Sequence, residues 1–219
     1  MGLKIILTGA TGMVGEGILQ ECIRNPNVDK IIVLNRKSSG YSHPKVEEIT
    51  VNILNDIFYT KEKISNCDAC FFCAGISSVG LNEEQYTKVT YDLTLNFAKS
   101  LAKINPKMTF CYVSGAGTDS TEKGRRMWAR VKGKTENDLM KLSLKVFNFR
   151  PGFMKPSKGA KNVKGVFKVI NIIYPLLRIF NPIYFLKIEE VGKAMINVTI
   201  NSYSKQILEV KDISQLSKI

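Results

Sequence analysis

Directly after the apolar run Leu3 to Leu7 stands Thr8-Gly9-Ala10-Thr11-Gly12-Met13-Val14-Gly15, which joins a buried strand to a phosphate-binding turn. In a dinucleotide-binding strand-turn-helix unit the first glycine permits the tight turn. The second lets backbone approach a pyrophosphate, and the third lets the helix pack close to the strand. Gly9, Gly12 and Gly15 match these roles, with Thr11, Met13 and Val14 between them. Val14, Ile18, Leu19 and Ile23 recur at helical spacing from Met13 to Asn25, so the unpaired amides and the dipole of that helix face the ligand's phosphates.

The next apolar strand, Lys30 to Leu34, ends in Asn35-Arg36-Lys37 rather than in an acid. An acid there would accept the ribose 2′-hydroxyl of NAD, whereas a guanidinium beside an ammonium suits the 2′-phosphate of NADP. NADP(H) is therefore expected over NAD(H), with Arg36 the principal contact.

Short apolar strands then alternate with helical patterns. Strands are predicted at Ile49 to Ile53, Ala69 to Cys73, Met108 to Ser114, Lys145 to Phe149 and Gln206 to Val210. Asn82 with Gln85 forms a capping pair for a helix to about Lys103. Thr118 to Thr121 offer caps for one reaching Leu142, and a later helix covers Glu189 to Asn201. Such alternation requires crossovers and a parallel sheet covered on both faces. The expected fold is α/β: a Rossmann-like, doubly wound parallel sheet of about seven strands with a small C-terminal cap. All 219 residues suit one domain, with 1–150 as core, 151–205 as cap segment and 206–219 as last strand and tail.

Other chemistries lack raw material. Cys67, Cys70 and Cys73 are spaced like part of an iron-sulfur motif, but the run crosses a buried strand and no fourth ligand follows, so no metal is expected. His43, the only histidine, lies beside Pro44 in a polar loop. Five cysteines and no cleavable apolar leader predict reduced thiols in a cytoplasmic protein. Through Phe110 the chain holds 12 basic and 11 acidic residues, and from Cys111 onward 20 and 8. Much of that excess lies in Lys155, Lys158, Lys161, Lys164 and Lys168, beside an apolar stretch that polar residues and prolines interrupt well short of a membrane span. The segment 155–188 could meet an acidic substrate or an anionic membrane surface, or it could be a solvated basic loop over a pocket; nucleic acid is the weaker reading.

The order of motifs resembles the short-chain dehydrogenase/reductase superfamily, and more closely its atypical branch of Tat-interacting-protein oxidoreductases and epimerase-like proteins. The residues that carry the resemblance are the Thr8 to Gly15 loop, Asn35-Arg36-Lys37, Cys73-Ala74-Gly75, Val113-Ser114, Val131-Lys132-Gly133 and Arg150-Pro151-Gly152. It implies that Cys73, Ala74 and Gly75 line the cofactor ribose and that Pro151 and Gly152 lie near the nicotinamide. It also implies that Asn52 and Ile53 approach the adenine, that Ser114 holds a carbonyl oxygen, and that Lys132 binds the nicotinamide ribose while lowering the pKa of a neighbouring acid. That acid is a tyrosine in the family, and here Trp128 stands four residues before Lys132. Its indole donates a hydrogen bond but does not exchange a proton near pH 7. Thr90 stands near the place of the family's supporting asparagine.

Two classes of function follow. One is an oxidoreductase passing a hydride to or from a small carbonyl compound, with Ser114, Lys132 and Trp128 at the reacting end; Tyr112 or an arginine among Arg125, Arg126 and Arg130 would then help to compensate for the missing acid. The other is a non-catalytic NADP(H)-sensing regulator acting through a protein partner.

Overall fold

The computed structural model describes residues 2–51, 57–157, 159, 162 and 185–219. Seven parallel strands form the main sheet: β1 (Leu3–Thr8), β2 (Val28–Asn35), β3 (Val46–Thr50), β4 (Ala69–Phe72), β5 (Thr109–Val113), β6 (Lys145–Arg150) and, last in the chain, β9 (Ile207–Glu209). Their order is β3-β2-β1-β4-β5-β6-β9. The chain runs outward one way from β1 and then returns to β1's other side at β4, so the sheet reverses direction between these strands. The α/β, doubly wound expectation is met, and a ligand crevice belongs at the carboxyl ends of β1 and β4.

Alternation along the strands builds two cores. On β1, Ile5 and Leu7 face one side, with Ile18 and Leu19 of α1 (Met13–Arg24) and Val191 and Met195 of α6 (Ile188–Asn201). Ile6 faces the other side, with Phe97 and Leu101 of α4 (Leu93–Ile104) and Leu139 of α5 (Met127–Leu139). Phe72 anchors the second core, with ring centroids 5.3 Å from Phe97 and 5.8 Å from Phe110. Burying each such ring contributes about 1.5–3 kcal/mol. α6 packs on α1, so this helix of the 151–205 segment belongs to the main helical layer.

Two expectations about elements are corrected. The third strand is Val46–Thr50 rather than Ile49 to Ile53, because the register Ile31↔Val46 to Asn35↔Thr50 is set by β2, and an edge strand tolerates Glu47 and Glu48. Asn52 and Ile53 lie outside the described residues, as does most of the basic and apolar segment 155–188. The helix expected from Thr118 begins only at Met127. Asp119 instead accepts hydrogen bonds from the Thr121 amide (3.0 Å), the Thr121 hydroxyl (2.6 Å) and the Gly124 amide (2.6 Å), closing a loop in which Glu122 takes φ 61°.

The Asn82 and Gln85 capping box is present on α3 (Glu83–Thr87), which passes through one π turn, Lys88–Asp92, into α4. Two short strands not anticipated, β7 (Phe153–Lys155) and β8 (Phe185–Lys187), pair in parallel apart from the main sheet. α7 (Val210–Leu216) closes the chain. Among the described residues no helix is long and apolar enough to cross a membrane.

Candidate functional site

The glycine loop sits at the reversal between β1 and β4. Gly9 has φ 73°, and a Cβ there would lie 2.7 Å from the backbone of Cys73 and Ala74. A Cβ on Gly15 would lie 2.2 Å from the Gly9 carbonyl oxygen. The fold itself therefore demands these two glycines. Gly12 differs: a Cβ there would meet only the Gly9 oxygen, at an ordinary 3.5 Å, and would otherwise project from an exposed position beside a cavity. Its missing side chain leaves room for a ligand rather than for the protein. Gly12 provides no side-chain cap to α1, so the first-turn amides are left for an anion. The Cys73 and Ala74 amides both donate to the Thr8 hydroxyl at 3.2 Å, which pins the two loops together. Buried Glu16 ties down the surroundings, accepting from the Tyr41 hydroxyl and from the Asn162 amide at 2.9 Å each.

Two adjoining cavities open here. The first, about 710 Å³, runs along Thr11 to Gly15, Cys73 to Ser77, Val113, Ser114 and Lys132. The second, about 530 Å³, is bounded by Ser114 to Gly117, Arg126, Trp128 and Pro151 to Met154. Ser114 and Met154 belong to both. Residues expected around the cofactor, from Thr11 to Gly15, Cys73 to Gly75 and Lys132, thus meet in one cavity, while Trp128, Pro151 and Gly152 line its neighbour.

Arg36 and Lys37 lie exposed at the end of β2, outside both cavities. Asn35 is buried, and its amide donates to Glu48 at 3.1 Å. Glu48 also accepts from the Ser38 hydroxyl (2.7 Å) and the Ser39 amide (2.6 Å). Burial pushes its carboxyl up, but these hydrogen bonds outweigh that and hold it below the usual range. An acid thus does reach this loop, from the neighbouring strand, 13 residues beyond Asn35, where no local signal marks it.

Behind Ser114 lies a buried ionic network that no local sequence signal marks. Glu136, fully buried one turn after Lys132, accepts from the Ser114 hydroxyl at 2.5 Å and from Arg150 Nε and Nη2 at 3.1 and 2.5 Å. Arg150 reaches Glu209 at 3.1 Å and the Ser120 hydroxyl at 2.5 Å as well. The Ser114 hydroxyl also contacts the Phe149 carbonyl at 3.0 Å, so its proton is committed within the protein. Lys132 Nζ donates to the Ser114 carbonyl oxygen.

Burial pushes the Lys132 ammonium down from 10.5 to about 8, with Glu136 opposing. The folded chain thus disfavours this charge, a cost present in full below pH 8 and relieved as the pH rises towards 10.5. Acylation of Lys132 by a small acylating reagent such as acetic anhydride, which transfers acetyl to the neutral Nζ and releases acetate, is expected to titrate near pH 8 when followed by peptide mass spectrometry. A midpoint near 10.5 would remove the buried ammonium from the site.

The other candidates separate clearly. Tyr112 is buried against Phe72 and lines neither cavity, and burial drives its phenol far above the usual value. Arg130 is engaged with Glu83 and the Gly124 carbonyl, both at 2.7 Å, and Arg125 is exposed outside both cavities; Arg126 alone of the three lines one. Thr90 is buried in the π turn. Cys67 and Cys70 are buried, and burial raises their thiols, Cys67 to about 11.

The sequence profile of the NAD dependent epimerase/dehydratase family matches residues 5–124. A protein of the leucinostatins biosynthesis cluster, protein T of Purpureocillium lilacinum, is 32% identical over 146 residues, 64% of this chain and 52% of that protein; the chain thus spans about half its length. Protein FMP52 of Meyerozyma guilliermondii, named mitochondrial, is 25% identical over 97% of this chain and 92% of its own. Relatives in Emericella nidulans, Aspergillus oryzae and Candida albicans are also named mitochondrial. The cytoplasmic expectation is overturned by these names: it rested on the lack of a secretory leader, which bears no relation to a mitochondrial address.

Among solved structures, the ADP-L-glycero-D-manno-heptose-6-epimerase of Helicobacter pylori superimposes with TM-score 0.68 at 18% identity, covering 99% of this chain and 81% of that one. A short chain dehydrogenase from Burkholderia cenocepacia in complex with NADP gives 0.67 at 14%, covering 98% and 92%. With its profile matched over more than half its length and its sheet reversing at the glycine loop, the chain belongs to the NAD dependent epimerase/dehydratase family.

Proposed function

We propose that the protein is an NADP(H)-dependent oxidoreductase that moves a hydride to or from a small carbonyl-type compound, with Trp128 in place of the usual tyrosine. The observation that carries this reading is the adjacency of the two cavities: the glycine loop and Lys132 share one, and it has Ser114 and Met154 in common with the compartment of Trp128. Gly12 supplies the room and the α1 amides supply the donors for a pyrophosphate, and Cys73 to Gly75 and Lys132 would hold the remainder of the dinucleotide. When bound, the nicotinamide supplies or accepts the hydride.

Lys132 holds the exchangeable proton, at Nζ, in a site whose serine proton is already committed to Glu136. A value near 8 suits release of that proton close to neutrality. Trp128→Tyr, which restores a hydroxyl one turn before Lys132, is expected to raise NADPH oxidation with simple aldehydes by about 10²-fold or more. An unchanged rate with cofactor bound counts against this geometry.

Arg36 and Lys37 support preference for the 2′-phosphate, while Glu48 opposes it by occupying the Ser38 and Ser39 donors. Arg36→Glu is expected to reverse the ratio of NADPH to NADH affinity, and Glu48→Gln to widen it, as read by calorimetric titration. An unaltered ratio in both takes this loop out of the site.

The commitment of the Ser114 hydroxyl favours a second reading, a regulator that binds NADP(H) without turnover. Tight NADPH binding, with no oxidation by a carbonyl panel in either the natural chain or the Trp128→Tyr variant, is its signature.

A further inference from the structure

We infer that the compartment beside Lys132 takes a flat, apolar carbonyl compound bearing an anionic group, and that Arg126 is the partner of that anion. This rests on the reading of the adjoining cavity as the cofactor site, and it names the substrate class which that reading leaves open.

The walls carry the first half of the inference. Trp128, Phe153 and Met154 supply its large apolar side chains. Phe153 is 55% exposed, yet its ring is stacked on buried Phe185, with centroids 5.6 Å apart and planes 18° from parallel. An aromatic ring supported from behind and open in front is a surface for another flat group. Small residues complete the lining: Gly115, Ala116 and Gly117, the last at φ 84° and so close to the indole that an added Cβ would sit 3.6 Å from Trp128 Cη2. Gly115 takes φ 151°, and a Cβ there would lie 4.0 Å from Lys132 Nζ, which places the amine close behind this stretch of backbone.

Polar partners are few. The Ser114 hydroxyl is taken up by Glu136 and the Phe149 carbonyl, and no aspartate or glutamate is among the described lining residues. A polyhydroxylated substrate would surrender its water and recover little from side chains in return.

The charge carries the second half. Arg126 is the only charged side chain among those described on this wall, and no described residue is paired with it. It is exposed and immediately precedes α5, whose first turn contains no acid. The chain's net charge of +13 adds a general attraction for anions. An apolar wall with one guanidinium that no described residue pairs selects for an aromatic or alicyclic carbonyl compound with a carboxylate or similar group at the far end.

Calorimetry with three probes tests this, on protein with and without NADPH: 2-naphthoate, its neutral counterpart 2-naphthylmethanol, and UDP-N-acetylglucosamine. 2-Naphthoate is expected to bind at least tenfold more tightly than the alcohol. Arg126→Ala should erase that margin while leaving the alcohol unchanged, and Arg126→Lys should restore part of it. Trp128→Ala should weaken both aromatic probes alike. Thermal melting checks that each variant is folded. Equal affinity for acid and alcohol, a margin that survives Arg126→Ala, or tighter binding of the sugar nucleotide overturns the inference. Binding of naphthoate by a protein that does not bind NADPH in its own titration retains this compartment and refutes the cofactor reading instead.

Discussion

Gly12→Val is expected to abolish dinucleotide binding, weakening NADPH affinity by two orders of magnitude or more, in a protein that still folds. The two halves of that expectation have separate causes. Folding survives because a Cβ at this position meets only one atom, at 3.5 Å, and because φ is −103°, a value open to any residue. Binding fails because the branched side chain fills the space above the first-turn amides, holding a pyrophosphate away from donors that act over hydrogen-bond distances only. Gly15→Val supplies the contrast: its side chain would overlap the Gly9 carbonyl, so the loss there is of the fold itself. Titration of NADPH by calorimetry, with circular dichroism on both variants, separates the cases. Undiminished affinity in folded Gly12→Val protein would remove the loop from the binding site.

Arg150→Leu is expected to destabilise the protein by about 3–5 kcal/mol, because it leaves the Glu136 carboxylate buried without its cation. Glu136 is fully enclosed, and two of the donors it accepts belong to the same guanidinium. A loss of that size is about a fifth or more of the ~5–15 kcal/mol that holds an ordinary domain folded. The double variant Glu136→Leu with Arg150→Leu should recover much of it, since two apolar groups remove the desolvation cost along with the attraction. The Ser114 hydroxyl then loses its carboxylate acceptor and becomes available to a ligand. Urea unfolding of the single and double variants reads both effects. A change below 1 kcal/mol in Arg150→Leu would mean that the network contributes nothing to stability.

The two glycine positions required by backbone contact, the parallel strands and the capping box at Asn82 were all legible, because each is written within a few residues of itself. Spacing also identified Lys132 and Trp128 as neighbours on one helical face. The start of α5 was misjudged for a physical reason: the threonines at 118 and 121 are good caps, but Asp119 competes for the same amides and wins with three hydrogen bonds. β3 was misplaced because an edge strand need not be apolar, so its limits follow from the partner strand rather than from its own residues.

Local order along the chain was enough to settle the class of fold, the location of the glycine turn and the absence of a tyrosine before Lys132, since turn, helix and strand signals act over short stretches of backbone. The roles of Glu48, Glu136 and Arg126 were not open to that reading. Glu48 gains its meaning from Asn35 on the next strand, Glu136 from Ser114 and Arg150 on two others, and Arg126 from an apolar wall that residues 151–154 bring to it. Electrostatic and hydrogen-bonding partners are chosen by distance in space, and in a crossover fold the residues closest in space are those that the intervening helices have carried far apart in sequence.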